Sequence, residues 1–157
     1  MEKENKEVKK IKYSWDKFDQ DIKDIVETIK TQGWNIKVVF GIPNGGLPLA
    51  AALANHLDIK LITDLNVMAQ IQDVSIFNQV LVVDDISDTG RTMITIPGII
   101  DMRTVALFVK AGSQFLPNYY CNTCKREEWV VFPWEPEEKD AERDNTYEEI
   151  MENIDKE

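Results

Sequence analysis

Cysteine is scarce, with two in 157 residues, and a disulfide-stapled scaffold is thereby excluded. Histidine is scarcer still. The single imidazole, His56, falls in an apolar predicted helix, so no Ser–His or Cys–His nucleophile constellation can be assembled. No apolar run approaches the roughly 18–20 residues of a membrane span. Seven glycines and six prolines are too few for a collagen-like or low-complexity chain. There is no excess of positive charge: 18 Lys and Arg face 28 Asp and Glu, for a net charge of −10. A broad basic surface for duplex nucleic acid is not expected. The first twelve residues, MEKENKEVKKIK, are charged and lack the apolar centre of a signal peptide. With so few thiols, that points to a reducing interior and a cytoplasmic location.

What remains is an ordinary globular composition, 43% hydrophobic and 29% charged, at a length that fits one domain. The charge is uneven. Residues 135–157 carry −8 and residues 1–134 only −2. The expected organisation is a frayed terminus over 1–12, a folded domain over 13–135 and an acidic tail over 136–157. Ser14 is a candidate N-cap. After it, Trp15, Phe18, Ile22, Ile25, Val26 and Ile29 fall on one helical stripe, and Gly33 lies past its end. Residues 37–42 read as a buried strand, 43–46 as a turn, 47–57 as a buried helix and 60–62 as a brief strand. Residues 64–78 show no clean period and are expected to be a loop.

Residues 79–83 form a second apolar strand ending at Asp84-Asp85, and residues 86–91 a polar turn. A helix starting near 89–92 is cut short by Pro97-Gly98. Residues 104–109 form a third apolar strand, and 119–121 and 129–132 read as short strands. Thr146 and Glu149 make a capping box before an amphipathic stretch with Tyr147, Ile150, Met151 and Ile154. There is no internal repeat. The strand–helix alternation predicts an α/β fold, a mainly parallel central sheet flanked by helices. A small lid over the site is expected from the termini or from residues 112–135.

The chemistry is concentrated in Val80-Leu81-Val82-Val83-Asp84-Asp85-Ile86-Ser87-Asp88-Thr89-Gly90-Arg91-Thr92. A buried strand carries two adjacent carboxylates to the carboxyl edge of a sheet, where open α/β sheets bind ligands. A turn of hydroxyl and glycine residues follows. Its N–H groups, with the hydroxyls of Ser87, Thr89 and Thr92, suit one phosphate. Acids beside such a cradle suit the hydroxyls of a sugar phosphate, or Mg²⁺. A nucleoside-triphosphatase reading of the same strand fails, because the chain has no G-x-x-x-x-G-K-[ST].

This thirteen-residue string closely resembles the PRPP-binding motif of the type I phosphoribosyltransferases: four apolar residues, two acids, then small residues ending in Thr-Gly. The resemblance covers about residues 13–135. It implies that Asp84 and Asp85 hold ribose hydroxyls directly or through Mg²⁺, and that Ser87, Asp88, Thr89, Gly90, Arg91 and Thr92 surround the 5′-phosphate. It also makes Asp88 the candidate catalytic group, managing the N7 proton of a purine. Gly41-Ile42-Pro43-Asn44-Gly45-Gly46-Leu47 stands where the family has its pyrophosphate loop, which assigns Asn44, Gly45 and Gly46 to the leaving group. Asn44 occupies a position where the family normally has arginine or lysine. Lys110 followed by Ala111-Gly112, and the run Trp129-Val130-Val131-Phe132-Pro133-Trp134-Glu135, resemble the xanthine-guanine and hypoxanthine branch. Trp15-Asp16 is similar to that branch as well. There the lysine meets the purine 6-oxo group, the aromatic stacks, and the next residue meets the purine edge. These roles fall on Lys110, Trp129 and Val130, with Trp134 left to packing.

The resemblance thus implies transfer of a phosphoribosyl group from PRPP to a 6-oxopurine. The products are a nucleoside monophosphate and pyrophosphate, the cofactor is Mg²⁺, and the assembly is a homodimer or homotetramer. Two departures favour an alternative, a regulator that binds PRPP or a nucleotide without turnover. One is the uncharged Asn44. The other is the short stretch 65–78, which lacks the Ser-Tyr pair the family often carries in a hood over the reacting centre. Cys121-Asn122-Thr123-Cys124 is half of a zinc site, and the expectation is a pair of bystander thiols.

Overall fold

A computed structural model describes residues 8–136. Five strands form one sheet in the order β3-β2-β4-β5-β6, every neighbouring pair parallel. They are β2 (Val38–Gly41), β3 (Lys60–Ile62), β4 (Val80–Ser87), β5 (Arg103–Lys110) and β6 (Tyr119–Cys124). The central strands are covered on both faces, which explains their unbroken apolar runs. Alternate residues serve opposite cores. Val39, Leu81 and Val83 pack into the larger core with α1 (Trp15–Thr31) and α2 (Leu47–Leu57). Phe40, Val80 and Val82 pack into the smaller one with Met68, Phe77, Met93 and Ile96. The expected α/β architecture with a parallel central sheet is therefore the one observed.

Helix α1 begins where expected, with Ser14 Oγ accepting from the Lys17 amide at 3.1 Å. Phe18, Ile22, Ile25 and Ile29 form its buried face, while Trp15 remains 57% exposed at the first turn. Asp21 on that face is fully buried. Its carboxylate accepts from Tyr13 Oη at 2.6 Å, from Lys17 Nζ at 2.5 Å and from Asn122 Nδ2 at 2.9 Å, tying α1 to the neighbouring strand. Helix α2 carries Pro48 in its first turn and ends at Asp58, in the left-handed region at φ 53°.

Several local readings are corrected. Residues 64–78 are not an irregular loop: α3 (Leu65–Ala69) and a 3-10 turn (Val74–Gln79) occupy them. Each is started by a capping aspartate, Asp64 accepting from the Asn66 amide at 2.8 Å and Asp73 from the Ser75 amide at 3.0 Å. Both elements are too short for a helical period to register. Strand β4 starts at Val80 and runs through both aspartates to Ser87, because β5 pairs with it as far as Ser87↔Val109. Strand β6 likewise continues to Cys124.

Part of the terminus expected to fray forms β1 (Lys9–Lys12), which pairs in parallel with β7 (Glu128–Val131) in a separate two-stranded sheet. Its sequence, KKIK, has almost no strand signal, and pairing with β7 supplies what the pattern lacks. This small sheet combines the two regions named as lid candidates, whereas β6 belongs to the main sheet. His56 is exposed on α2, not in an apolar setting. The predicted helix containing Tyr147 to Ile154 lies outside the described residues. Among the described residues no helix is long and apolar enough to cross a membrane.

Candidate active site

The sheet order places a topological switch point between β2 and β4, because the chain leaves β2 toward β3 and later continues from β4 toward β5. Strand β2 stops pairing at Gly41↔Val83. Beyond that register Asp84–Ser87 pairs only with β5, and a crevice opens on the other side. The turn after β2 folds over its rim. Gly45 has no room for a side chain, since a Cβ there would lie 2.2 Å from Asp85 Oδ2. A Cβ on Gly46 would lie 2.5 Å from the Val83 carbonyl oxygen. The Gly46 amide donates to the Ile42 carbonyl at 2.8 Å. It is therefore committed to the turn, whereas the sequence had assigned it to a ligand. The Pro43–Asn44 peptide is cis. Asn44 is exposed.

Asp84 and Asp85 are locked into the local backbone. Asp84 Oδ1 accepts from the Asp85 amide at 2.8 Å, and Asp85 Oδ1 from the Ile86 amide at 2.8 Å. Burial, and then the neighbouring charge of Asp85, hold the Asp84 carboxyl well above the usual carboxylate range. Past the acids, Gly90 at φ 84° starts the four-residue helix α4 (Arg91–Ile94). A recess of about 60 Å³ is lined by Asp84, Ile86, Asp88, Thr89, Gly90 and Thr92 among others. Thr89 and Thr92 are exposed beside it.

Two expected members stand differently. Ser87 is 2% exposed, and its hydroxyl meets Ser113 Oγ and the Phe115 carbonyl, both at 2.9 Å. The hydroxyl is thus engaged with the loop after β5, although Ser87 remains in the wall. Arg91 is exposed on α4 and lines neither cavity.

A larger cleft of about 480 Å³ joins the separate segments: Asn44 and Gly45, Asp84, Asp85, Asp88, Thr89 and Thr92, and Lys110, Trp129 and Val130. Lys110 ends β5 and is 7% exposed. Its ammonium lies 5.6 Å from the centroid of the Trp129 ring and 3.8 Å from Asp88 Oδ2. Val130 is buried behind, and Phe132 continues the wall. Trp134 stacks on Phe132 at 4.9 Å, in the packing role expected of it. Four acids (Asp84, Asp85, Asp88 and Glu135) and one lysine line this cleft.

Sequence reasoning missed Arg126, in the turn between β6 and β7. Its guanidinium contacts Asp88 Oδ1, and donates to the Asp88 carbonyl at 2.9 Å and to the Ala111 carbonyl at 2.7 and 3.0 Å. Nothing in its spacing marks it, since Asp88 is 38 residues away. Glu135 and Phe132 were also missed as lining residues. Cys121 and Cys124 are free thiols on β6, and burial, then Asp21, push the Cys121 thiol up to about 12. Such a thiol is poorly nucleophilic.

The phosphoribosyl transferase domain matches residues 7–141 of this chain. The xanthine-guanine phosphoribosyltransferase of Desulfotalea psychrophila is 26% identical over 141 residues, covering 82% of this chain and 88% of that one. The crystal structure of a purine phosphoribosyltransferase from Pyrococcus horikoshii Ot3 superposes with a TM-score of 0.65 at 26% identity, over 81% of this chain and 95% of that one. The Helicobacter pylori xanthine-guanine-hypoxanthine phosphoribosyltransferase shares the fold, with a TM-score of 0.67 at 18% identity over 90% and 99% of the two chains.

Proposed function

Because this chain belongs to the phosphoribosyl transferase domain family, we propose that it transfers the phosphoribosyl group of PRPP to a 6-oxopurine, releasing pyrophosphate. One observation carries the reading. A single cleft has the acid-and-hydroxyl loop of β4 along one side and a buried lysine over an indole on the other. A phosphorylated sugar and a planar base can therefore meet in it.

On the sugar side, the backbone of residues 88–92 with the Thr89 and Thr92 hydroxyls holds the 5′-phosphate. Asp84 and Asp85 hold the ribose hydroxyls. On the base side, the purine stacks on Trp129. Lys110 donates to the 6-oxo oxygen, and the backbone of Val130 meets the purine edge. Asp88, whose Oδ2 faces Lys110, takes the N7 proton as the new C–N bond forms at C1′. Acids around the ribose suit the positive charge that develops on the ring as pyrophosphate departs.

The donor set also fits Mg²⁺. A cleft with four acids and one lysine cannot balance a pyrophosphate ester by itself. Substrate-borne Mg²⁺ needs only one or two carboxylates, with water and phosphate oxygens completing the shell. Asp84, whose proton affinity burial has raised, is a carboxylate that gains from a cation. When bound there, Mg²⁺ would take up charge from the leaving group.

Asn44 supports a second reading, a protein that binds PRPP or a nucleotide without turnover. Lys110 is the one cation lining the cleft among the described residues, and it lies on the base side. Pyrophosphate release from PRPP and Mg²⁺ with guanine, xanthine, hypoxanthine and adenine in turn separates the two. Release with a 6-oxopurine is expected. PRPP binding without release for any base would select the regulator. A cytoplasmic homodimer or homotetramer belongs to the same reading, and sedimentation measures the assembly directly.

A further inference from the structure

We infer that Arg126 is the positioning residue of Asp88. It turns one carboxylate oxygen away from the cleft so that the other faces the base. The inference rests on the reading of Asp88 as the group that takes the purine proton.

An exposed ion pair by itself contributes little. This one has a different geometry. Arg126 is about half exposed, yet all three of its guanidinium nitrogens are engaged. Nη1 contacts Asp88 Oδ1, Nη2 donates to the Asp88 and Ala111 carbonyls, and Nε donates again to Ala111. The planar fork thus bridges the turn after β4 and the residue that follows Lys110. With Oδ1 held there, Oδ2 is the oxygen that faces Lys110 at 3.8 Å. A proton acceptor oriented by a third group is the usual construction of an acid–base site.

The same two loops are tied at a second place. The Gln114 amide donates to the Thr89 carbonyl at 2.9 Å, and Ser87 Oγ to the Phe115 carbonyl at 2.9 Å. Gly90 is pressed so close that a Cβ would lie 2.4 Å from the Phe115 amide nitrogen. Arg126 closes the open end of this seam. Lysine cannot replace it, because an ammonium is a point donor that cannot reach two carbonyls and a carboxylate as a fork does.

The test is a double-mutant cycle with Arg126→Gln, Asp88→Ala and the double variant, beside Arg126→Lys. With PRPP and the best purine, Arg126→Gln should lower kcat about 10- to 100-fold, the scale of a misplaced reacting group. The KM for PRPP should stay within about threefold, and Arg126→Lys should not restore the rate. In the Asp88→Ala background the Arg126→Gln change should cost less than about twofold, since Arg126 acts through Asp88. An equal loss in both backgrounds, or full rescue by lysine, overturns the inference.

Hydrogen exchange at the Gln114 amide reads the same cycle without turnover. Arg126→Gln should speed it about tenfold, Asp88→Ala, which leaves the Arg126 bonds to backbone carbonyls, should speed it less, and the double variant should be no faster than Arg126→Gln. Unchanged exchange in Arg126→Gln overturns the inference. A wild-type chain inactive with every purine would sink the transfer reading instead, and the exchange cycle would then decide whether Arg126 holds Asp88.

Discussion

Replacing Lys110 with methionine isolates the purine side of the cleft. Lys110 is 7% exposed, with its ammonium between the Trp129 ring and Asp88. Methionine keeps most of the apolar stem and removes the ammonium, both its charge and its N–H donors. Asp88 keeps its contacts to Arg126, so the variant should not disorder the loop that holds it. A charge-assisted hydrogen bond to a 6-oxo oxygen is worth about 1.5–3 kcal/mol. Its loss should reduce kcat/KM for guanine or hypoxanthine about 10- to 150-fold. Adenine presents a 6-amino donor to the lysine and has no such bond to lose. Its use should be poor in the wild type and change by no more than about threefold, or ~0.6 kcal/mol. PRPP affinity measured by calorimetry with Mg²⁺ should hold within the same margin, because residues 84–92 lie on a different loop. Initial rates with each base limiting provide the comparison. A wild-type protein that uses adenine as readily as guanine would refute the assignment, as would a Lys110→Met variant that loses both bases equally.

Other outcomes follow from the same geometry. Asp84→Asn with Asp85→Asn should abolish Mg²⁺-dependent PRPP binding while circular dichroism stays native. The same pair makes a pH prediction. A carboxyl whose folded-state proton affinity is raised contributes stability below the ordinary carboxylate range, and that contribution is lost as pH rises through its raised value. The free protein should therefore lose stability in urea as pH climbs from the ordinary carboxylate range, and Asp84→Asn should flatten that slope; a wild-type slope unchanged by Asp84→Asn counts against it. Asn44→Arg, which places a cation at the turn after β2, should raise kcat/KM for PRPP about tenfold, or roughly 1.4 kcal/mol. An unaltered or lower rate means that Asn44 does not stand in for a catalytic cation. Asp21→Ala strands the buried Tyr13 hydroxyl and takes one of two partners from the Asn122 amide, which keeps the Leu107 carbonyl, and should cost about 3 kcal/mol in urea unfolding. A loss under about 1 kcal/mol would show that water replaces the carboxylate there.

Local order was legible wherever the signal was local. The stripe after Ser14, the apolar runs at 80–83 and 104–109, and the helix at 47–57 are each specified by their own residues. The string Asp84 to Thr92 also stood out as a cleft-lining loop, because carboxylates at a strand end contribute little to packing. Elements shorter than two helical turns were not legible. Capping by Asp64 and Asp73 organises residues that carry no period. Strand β1 was hidden for a related reason: Lys9, Lys10 and Lys12 take strand geometry only because Glu128 to Val131 lies alongside.

By itself, then, the sequence determined the parallel α/β frame, the acid-and-hydroxyl loop and the presence of Lys110 and Trp129. Strand burial and turn chemistry are properties of contiguous residues, and they survive in one dimension. Tertiary structure alone decided which groups meet. It buried Lys110 against Trp129, turned the Ser87 hydroxyl onto Phe115, committed the Gly46 amide to its own turn and left Arg91 outside the cleft. It also brought Arg126 to Asp88 across 38 residues. Pairing at that range depends on how β4, β5 and β6 lie side by side in the sheet, and no spacing within the chain encodes it.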